Sequence, residues 1–289
     1  MKAVILAAGE GVRLQPITST RPKHLIIVGG KPILEHCLSA VKSAGIDEVV
    51  IVTHYMGDAT HRYFGDGKKF GLKIEYVEQK EILGTGNATS FAEPYVKDDF
   101  LLVYGDLIFS SNIVKDVIDT YNREKPAAAM AVVPVEKTED YGIVELEDEK
   151  YVKRIVEKPK REEAPTRLAN SGIYVFSTAI FDKIREIRAS DRGELELTDA
   201  ISLLSAEKKT VLAIKISHDD WIDIGRPWDL LEANRWALIR EEHKVCGYIE
   251  NGACLIGPVT VMETARIRSG AYIEGPAFID EGSDIGPNC

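Results

Sequence analysis

The chain has 289 residues, of which 45% are hydrophobic, and its formal net charge is −10 at pH 7. This length suits one large α/β domain plus a smaller unit, with an ample core. An acidic chain lacks the basic footprint of a general nucleic-acid binder, although it can still hold a local cationic pocket. No apolar run is long enough to span a bilayer, and Met1 leads into a predicted strand instead of a signal peptide. We therefore expect a soluble, cytoplasmic protein with no nucleic-acid or membrane partner.

Cysteine and histidine spacing gives no sign of a zinc site. The four cysteines, Cys37, Cys246, Cys254 and Cys289, match no metal-ligand pattern, and nothing in the sequence indicates secretion. The six histidines form no H-E-x-x-H or similar cluster. We expect the thiols to be reduced and structural.

The first predicted strand ends in a loop that we interpret as a phosphate-binding loop. Residues 1–6 are an apolar run typical of a buried strand, and Gly9 and Gly11 follow it. Two glycines let backbone N–H groups approach a phosphate chain, and Arg13 and Lys23 are cations suited to hold its charge. A glycine turn alone is weak support, but the longer pattern L-x-x-G-x-G-x-R-L favours a site. It is neither a Walker A loop nor a dinucleotide fingerprint, because the lysine of the first and the third glycine of the second are missing.

Strand and helix patterns alternate after this loop. Apolar residues recur at helical spacing over 32–45, and a buried strand is predicted at Glu48–Thr53. A short helix near 58–64 and a third strand at 72–77 follow. This alternation predicts a parallel sheet with right-handed crossovers, covered on both faces.

A second glycine turn follows the third predicted strand. Gly84 and Gly86 permit a sharp turn into a helix that we expect to start near Asn87, and open α/β sheets bind ligands at such strand ends. The Gln79 amide can donate and accept at once, which suits the edge of a pyrimidine ring. A Gln beside a glycine turn is more often only part of a capped loop, so this motif carries little by itself.

Two aspartates stand at positions that a structural role explains poorly. Asp106 follows the predicted buried strand Phe100–Tyr104, and Ser110 or Ser111 is the better cap for the next helix. We favour Asp106 as a ligand of a divalent cation over a turn aspartate. Asp223 lies between apolar residues in a β-rich run, where an unpaired carboxylate is unfavourable. We interpret Asp223 as the second partner of Asp106.

The pattern then changes from buried strands to alternating ones. Residues 141–146 and 151–156 alternate with charge and predict a hairpin across an acidic turn, which we interpret as an antiparallel insertion. The pair Glu157 and Lys158 follows, and such a pair in a hairpin arm is usually a solvated ion pair.

The remaining predicted elements are strands at 127–133, 170–176 and 211–216 and helices at 178–187, 197–206 and 227–242. Thr198 or Asp199 is expected to cap the second of these helices, and Pro227 is well placed to begin the third.

Residues 249–289 repeat with a period of six. The aliphatic positions are Ile249, Leu255, Val261, Ile267, Ile273, Ile279 and Ile285, and a small or modest residue stands four positions after each. This period is the hexapeptide signature of a parallel β-helix. Because the chain stops in mid-repeat at Cys289, we expect a truncated or shortened β-helix.

Several short motifs stand in the order found in sugar-phosphate nucleotidyltransferases. They are the opening loop, GTGNA at 84–88, GD at 105–106, EKP at 157–159, NSG at 170–172 and WIDIG at 221–225. The chain resembles the glucose-1-phosphate thymidylyltransferase and N-acetylglucosamine-1-phosphate uridylyltransferase branches of this family. The resemblance implies an α/β fold with a Rossmann-like, doubly wound mixed sheet of GT-A type, followed by the start of a left-handed β-helix. It implies a catalytic domain at 1–238, a linker at 239–248 and a β-helix at 249–289.

The resemblance also implies a role for each matching residue. For the nucleotide, these are Leu6, Ala8 and Gly9 at the base and ribose, Gly11 at the triphosphate, Arg13 and Lys23 on phosphate oxygens, and Gln79, Gly84 and Thr85 at the base. For the metal, Asp106 and Asp223 would hold Mg²⁺. For the sugar phosphate, Gly142, Glu157 and Asn170 would bind the sugar, and Lys158 its phosphate.

The implied reaction joins a sugar 1-phosphate, of glucose or N-acetylglucosamine, to UTP or dTTP and releases pyrophosphate. Arg13, Lys23, Asp106 and Asp223 would be the catalytic residues, and no general base is needed because the nucleophile is already an anion. The family also implies a homo-oligomer. One alternative is a GT-A glycosyltransferase, although residues 106–108 lack the second aspartate of an Asp-x-Asp motif. The other is a non-catalytic regulatory or assembly subunit, which the complete set of charged site residues disfavours.

Overall fold

The computed structural model describes residues 1–240 and 242–289, which divide into two compact units. Unit 1 comprises Met1–Ile26 and Ile33–Gly225. Unit 2 comprises Ile27–Pro32 and the described part of Arg226–Cys289. No helix in these described ranges has the length and apolar character that a membrane crossing requires.

The helices of the described residues are α1 Ile33–Ser43, α2 Gly57–Phe64, α3 Thr85–Ser90, α4 Ser111–Glu124, α5 Ala179–Glu186, α6 Leu197–Ala206 and α7 Asp229–Arg240. The strands before α7 are β1 Lys2–Ala7, β2 Ile27–Val28, β3 Lys31–Pro32, β4 Glu48–Thr53, β5 Lys73–Glu78, β6 Phe100–Tyr104, β7 Leu107–Phe109, β8 Ala128–Pro134, β9 Gly142–Glu147, β10 Tyr151–Glu157, β11 Leu168–Phe176, β12 Val211–Lys215 and β13 Trp221–Asp223. The strands after α7 are β14 Tyr248–Ile249, β15 Cys254–Ile256, β16 Val259–Val261, β17 Arg266–Ile267, β18 Tyr272–Glu274, β19 Ala277–Ile279 and β20 Asp284–Ile285.

Unit 1 is built on one mixed sheet with the strand order β5-β4-β1-β6-β11-β8-β12-β10-β9. The first four strands in this order are parallel, and β11 runs antiparallel to both β6 and β8. The β9–β10 hairpin closes the far edge, where Glu157 pairs with Gly142. The sheet therefore has a parallel half and a mixed half that meet between β6 and β11.

Alternation along each strand gives the sheet two buried faces. In β1, Ala3, Ile5 and Ala7 pack in one apolar cluster, whereas Val4 and Leu6 pack in another. Successive side chains of a strand point to opposite faces, so a run that is apolar throughout is buried on both sides. Helices α1 and α4 contribute to the first cluster, and α5 and α6 to the second.

Most predicted elements are confirmed, and the differences lie at helix ends and in the short strands β2, β3 and β7, which were not predicted. Ser110 caps α4 by accepting a hydrogen bond from the Asn112 N–H at 3.4 Å, as expected. The prediction that Thr198 or Asp199 caps α6 is wrong, because Glu196 occupies the N-cap position and Thr198 lies within the helix. Helix α3 begins before Asn87, because Gly84 takes the N-cap position in a backbone conformation open to glycine.

The bounds of α7 also differ slightly from the predicted ones. This helix was predicted over 227–242, but α7 begins at Asp229 and the described helix ends at Arg240. Residue 241 lies outside the described residues. Of the four free cysteines, Cys37 is buried and the other three are exposed, so the expected structural role fits Cys37.

Parallel pairing at a constant spacing organises the strands of unit 2 after α7. Each pairing joins residues 18 positions apart, such as Cys254 with Tyr272 and Val259 with Ala277. The pairs form three separate small sheets. All seven aliphatic positions of the six-residue repeat lie in a single apolar cluster, where Val261 and Ile267 are fully buried. The repeat therefore marks the inward face of this region.

The β2–β3 hairpin belongs to unit 2 although its sequence lies between two parts of unit 1. The Gly29 N–H donates to Asn234 Oδ1 of α7 at 2.9 Å. A Cβ atom on Gly29 would lie 2.6 Å from Ala237 Cβ, and one on Gly30 would lie 2.6 Å from the Phe278 ring. The hairpin thus packs against both α7 and β19.

Candidate active site

A cavity of about 320 Å³ lies where strands of the parallel half end. Ten of the residues predicted for the nucleotide and metal line it: Leu6, Ala8, Gly9, Gly11, Arg13, Lys23, Gln79, Gly84, Thr85 and Asp106. The sequence separates these residues by up to a hundred positions. They meet because parallel strands present their carboxyl ends along one edge of the sheet.

The opening loop folds back on itself through Gly11. This residue has φ +67°, and a Cβ atom would lie 3.0 Å from Thr18 Cγ2 and 3.1 Å from Lys23 Cβ. The Thr18 hydroxyl donates to the Gly11 carbonyl at 2.9 Å. A side chain at position 11 would therefore be both strained and crowded. The tight turn brings Lys23 against the glycine loop.

The cation of Lys23 is paired with the carboxylate of Asp106. Lys23 Nζ lies 2.6 Å from Asp106 Oδ2, and the Lys23 side chain is 8% exposed. Burial by itself raises the pKa of Asp106, but the Lys23 ammonium outweighs it and holds this pKa below its ordinary value. Burial lowers the pKa of the neighbouring His24 to about 4, so this imidazole is neutral at pH 7. The cavity floor thus combines an ionised carboxylate with one buried ammonium.

Asp223 does not line the cavity, but its backbone lies beside that of Asp106. Strand β13 pairs antiparallel with β7, so that Asp223 lies opposite Leu107. The Ile224 N–H then donates to the Asp106 carbonyl at 3.1 Å. A Cβ atom on Gly225 would lie 3.5 Å from the Arg13 guanidinium. The backbone after Asp223 therefore lies beside both Asp106 and Arg13.

The donor set beside the cavity suits a hard divalent cation that shares its ligands with a substrate. Within the described residues no group of three or more His, Cys, Asp or Glu side chains could hold a metal. Magnesium is typically bound through one or two carboxylates together with phosphate oxygens and water. The pair of Asp106 and Asp223 fits that pattern.

The second glycine turn is anchored around Gln79, which is 1% exposed. Its backbone N–H donates to the Thr53 carbonyl at 2.8 Å, and its own carbonyl lies 2.6 Å from His54 Nδ1. Its side-chain Nε2 donates to Asn87 Oδ1 at 2.7 Å and to the Gly84 carbonyl at 3.4 Å. The amide is consequently fixed at the cavity wall.

A segment that the sequence analysis did not single out, Ser190–Thr198, packs against this turn. The Leu195 N–H donates to the Leu83 carbonyl, and the Leu195 carbonyl accepts from the Gly86 N–H, both at 2.7 Å. The backbone N–H of Leu197 donates to Thr85 Oγ1 at 3.1 Å. Gly84 has φ +96°, and a Cβ atom there would lie 2.7 Å from the Leu195 carbonyl oxygen. We call residues 190–198 the bracket.

The bracket also holds Glu157, one of the residues predicted to bind a sugar. The Thr198 hydroxyl donates to Glu157 Oε2 at 3.1 Å, and Arg192 Nη2 donates to Glu157 Oε1 at 3.4 Å. Arg192 pairs at 2.7 Å with Glu196, whose side chain is 5% exposed. Burial raises the pKa of Glu196, and the nearby Glu157 carboxylate raises it further. Gly142 is adjacent, since a Cβ atom there would lie 2.8 Å from Glu157 Oε2.

The last two predicted residues are Lys158, which contacts this carboxylate, and Asn170 on β11. Lys158 has φ +44°, and its Nζ lies 3.7 Å from Glu157 Oε1. Asn170 Oδ1 accepts from the Gly172 N–H at 3.1 Å. The Tyr174 hydroxyl donates to that of Tyr104, a cavity residue, at 3.3 Å. The predicted sugar residues thus adjoin the cavity instead of lining it.

Sequence reasoning missed the polar residues that orient the predicted ones. Arg192, Glu196 and Thr198 make no recognisable motif, and Glu194 of the same segment lines the cavity. The available signal was the high density of charged residues at 192–199, RGELELTD. We interpreted the end of this segment as a helix cap.

The fold and cavity define a mixed α/β protein with paired cations and carboxylates at the carboxyl ends of parallel strands. The sequence model of the nucleotidyl transferase family matches residues 2–238. The chain belongs to this family.

Individual relatives carry more specific names. The bifunctional protein GlmU of Methanococcus maripaludis (strain C7) is 40% identical over 268 residues, which are 93% of this chain and 62% of that protein. A glucose-1-phosphate thymidylyltransferase of Streptomyces antibioticus is 37% identical over 287 residues, or 99% of this chain and 79% of that protein. The chain thus spans less than two thirds of the length of the GlmU relative.

Solved structures agree with the fold. A Bacillus anthracis protein assigned as a glucose-1-phosphate thymidylyltransferase, solved with sucrose, superposes with a TM-score of 0.75 at 32% identity. The match covers 84% of this chain and 98% of that one.

Proposed function

We propose that this protein transfers a nucleotidyl group from UTP or dTTP to a sugar 1-phosphate, either glucose 1-phosphate or N-acetylglucosamine 1-phosphate, and releases pyrophosphate. The observation that carries the proposal is the single cavity that gathers the glycine loop, Arg13, Lys23, Asp106 and the Gln79 turn. A triphosphate needs flexible backbone donors and cations, and a base needs a fixed polar edge. Both occur here within one space.

The chemistry requires two polyanions to meet in line at the α-phosphorus. The nucleophile is a sugar-phosphate oxygen that is already ionised, so the barrier comes mainly from charge repulsion and positioning. Arg13 would stabilise the charge that develops on the departing pyrophosphate, because it is a fixed cation at the glycine loop. Lys23, now paired with Asp106, would turn towards a phosphate oxygen when the nucleotide is bound.

Asp106 and Asp223 would hold Mg²⁺, which when bound neutralises phosphate oxygens and aligns the reacting groups. The Lys23 ammonium beside Asp106 keeps this carboxylate ionised, as a metal ligand must be. The backbone bond from Ile224 to Asp106 keeps the two aspartates together.

The sugar phosphate would bind beside the mixed half of the sheet. Glu157 accepts hydrogen bonds from Thr198 and Arg192, so its carboxylate is oriented before a sugar arrives and can accept from hydroxyl groups. Asn170 offers an amide on the neighbouring strand, and Lys158 a partly exposed ammonium for the phosphate. Gly142 leaves room for the Glu157 carboxylate, because a side chain there would strike it.

The names of the relatives support these substrates without choosing between them. A thymidylyltransferase of glucose 1-phosphate and a GlmU protein match the chain to similar degrees. The base and the sugar must therefore be measured.

For residues 249–289 we propose the turns of a left-handed β-helix, with the catalytic domain ending near residue 238 and a linker between them. The support is the parallel register of 18 residues, which equals three hexapeptides per turn, and the single inward apolar cluster. Such repeats stack into a continuous core in which each coil contacts only its neighbours.

The decisive experiment measures pyrophosphate release with Mg²⁺ over a matrix of UTP, dTTP, CTP, ATP and GTP against the two sugar 1-phosphates. Release with UTP or dTTP and at least one sugar phosphate supports the proposal. No release from any pair, with nucleotide binding retained in a calorimeter, would favour the regulatory alternative.

A further inference from the structure

Two acceptors hold the orientation of the Gln79 amide: Asn87 Oδ1 at 2.7 Å, and the more distant Gly84 carbonyl at 3.4 Å, which cannot become a donor. The Gly84 carbonyl accepts from Gln79 Nε2 and also from the Ala88 N–H at 3.0 Å in the first turn of α3. Turning the amide by 180° would set its oxygen against that carbonyl, two acceptors facing each other. The shorter bond, 2.7 Å to Asn87 Oδ1, then uses the second N–H of the same nitrogen.

The amide oxygen is left for a ligand. Both N–H groups of Gln79 are used within the protein, and among the described residues none donates a hydrogen bond to Oε1. Within those residues, Thr138 Oγ1 is the one fully buried side-chain polar atom without a partner, so Gln79 Oε1 retains open surface. Since Gln79 lines the cavity, that surface faces the space proposed for the base.

We propose that Asn87 is a positioning residue that fixes Gln79 as a hydrogen-bond acceptor, so that the site selects bases with an N3–H donor. Uracil and thymine carry this donor, whereas cytosine has a lone pair at N3 that would face the lone pairs of Gln79 Oε1. This inference rests on the proposed function and gives the physical reason why its nucleotide would be UTP or dTTP instead of CTP. A buried acceptor left without a donor is strongly unfavourable, which gives the selection its force.

Two contrasting substitutions of Asn87 test whether it positions the Gln79 amide. Asn87→Leu keeps the size of the side chain but removes the acceptor, so the Gln79 amide gains freedom to present its NH₂ group. Asn87→Asp keeps an oxygen that accepts from Gln79 Nε2. Asn87→Ala serves as a second truncation if the leucine variant unfolds, and Asn122→Leu on the exposed side of α4 is the matched control.

The measurement is the ratio of kcat/KM for UTP to that for CTP, from pyrophosphate release at a fixed sugar 1-phosphate concentration. We expect the ratio to fall about tenfold or more in Asn87→Leu and Asn87→Ala, and to be retained in Asn87→Asp and Asn122→Leu. An unchanged ratio in both truncations, or a preference of the parent protein for CTP, overturns the inference while the proposed function stands.

Calorimetric titration with UTP and with CTP, without sugar phosphate, separates the two hypotheses. If no triphosphate turns over, the proposed function fails and the binding ratio decides the role of Asn87 by itself. The role of Asn87 is supported if the parent protein binds UTP more tightly than CTP and both truncations lose this difference. It is overturned if the parent protein binds the two nucleotides equally.

Discussion

The two halves of the sheet in unit 1 carry their predicted site residues in different ways. In the parallel half, these residues lie in or next to the loops that follow β1, β5 and β6, and glycines let the backbone approach a ligand. In the mixed half, Gly142, Glu157 and Asn170 lie on strands β9, β10 and β11. The parallel half combines charged and polar side chains with the backbone of glycine turns, whereas the mixed half offers Glu157 and Asn170 side chains from its strands.

The two halves also differ in how their site residues are held in position. A loop needs tight local packing, which Gly11 and Gly84 permit through positive φ angles and close contacts. A side chain on a strand needs a partner to fix its rotamer, and for Glu157 that partner is the bracket. The bracket touches both halves, because Leu195 pairs with the Gln79 turn and Thr198 with Glu157.

The largest expected effect comes from the carboxylates between the halves. Asp106→Asn and Asp223→Asn should each reduce kcat by about a thousandfold, because a neutral amide is a poor ligand for the proposed Mg²⁺. Stopped-flow or steady-state pyrophosphate release measures this, with exposed Asp116→Asn on α4 as the control. Turnover near that of the parent protein in either variant would refute the metal assignment.

A smaller loss is expected from the cation of the parallel half. Arg13→Ala should reduce kcat by about a hundredfold, because the guanidinium is proposed to stabilise charge that develops only as pyrophosphate leaves. Steady-state kinetics with varied UTP checks this, with surface Arg123→Ala as the comparison. A raised KM with unchanged kcat would mean that Arg13 binds the nucleotide without stabilising the leaving group.

Backbone packing in the parallel half is tested by Gly84→Ala. The new Cβ atom would lie 2.7 Å from the Leu195 carbonyl oxygen, so the Gln79 turn must shift away from the bracket. We expect KM for the nucleoside triphosphate to rise between about tenfold and a hundredfold. Gly45→Ala shares a positive φ, +84°, but has open space around it, so it separates strain from crowding. Equal kinetics for the two variants would contradict the role of the bracket.

The smallest effect is expected from the mixed half. Thr198→Val removes the hydroxyl that orients Glu157 and keeps the side-chain shape, so KM for the sugar 1-phosphate should rise about fivefold to tenfold. KM for the triphosphate should stay unchanged. Thr198→Ser, which keeps the hydroxyl, should restore the parent value. A similar rise in both Michaelis constants would show that the halves are not functionally separate.

Sequence patterns predict the features that depend on the local sequence, such as buried strands. The apolar runs at Glu48–Thr53 and Phe100–Tyr104 are strands as expected, because burial on both faces demands continuous apolar residues. The interpretation of Asp223 as the partner of Asp106 rested on the cost of an unpaired carboxylate among apolar residues, and β13 pairs with β7 directly after Asp106. These inferences needed no knowledge of distant contacts.

The bracket could not be predicted because its role depends on partners far along the chain. Thr198 resembles a helix cap by its local sequence, yet its hydroxyl donates to Glu157, 41 residues earlier. Leu195 contributes only backbone groups, to Leu83 and Gly86, and backbone pairing leaves no residue signature. The helix-capping rule therefore gave the wrong role for Thr198, because a tertiary hydrogen bond determines the position of its hydroxyl.

The β2–β3 hairpin has a practical consequence for exchanging parts between relatives. Unit 2 is discontinuous along the chain, because its hairpin is encoded 194 residues before the rest, which starts at Arg226. A fragment starting at Arg226 would lose the Gly29 bond to Asn234 and the contact of Gly30 with Phe278. A chimaera that exchanges unit 2 must therefore take residues 27–32 from the same parent, and a single crossover near residue 226 would leave mismatched surfaces.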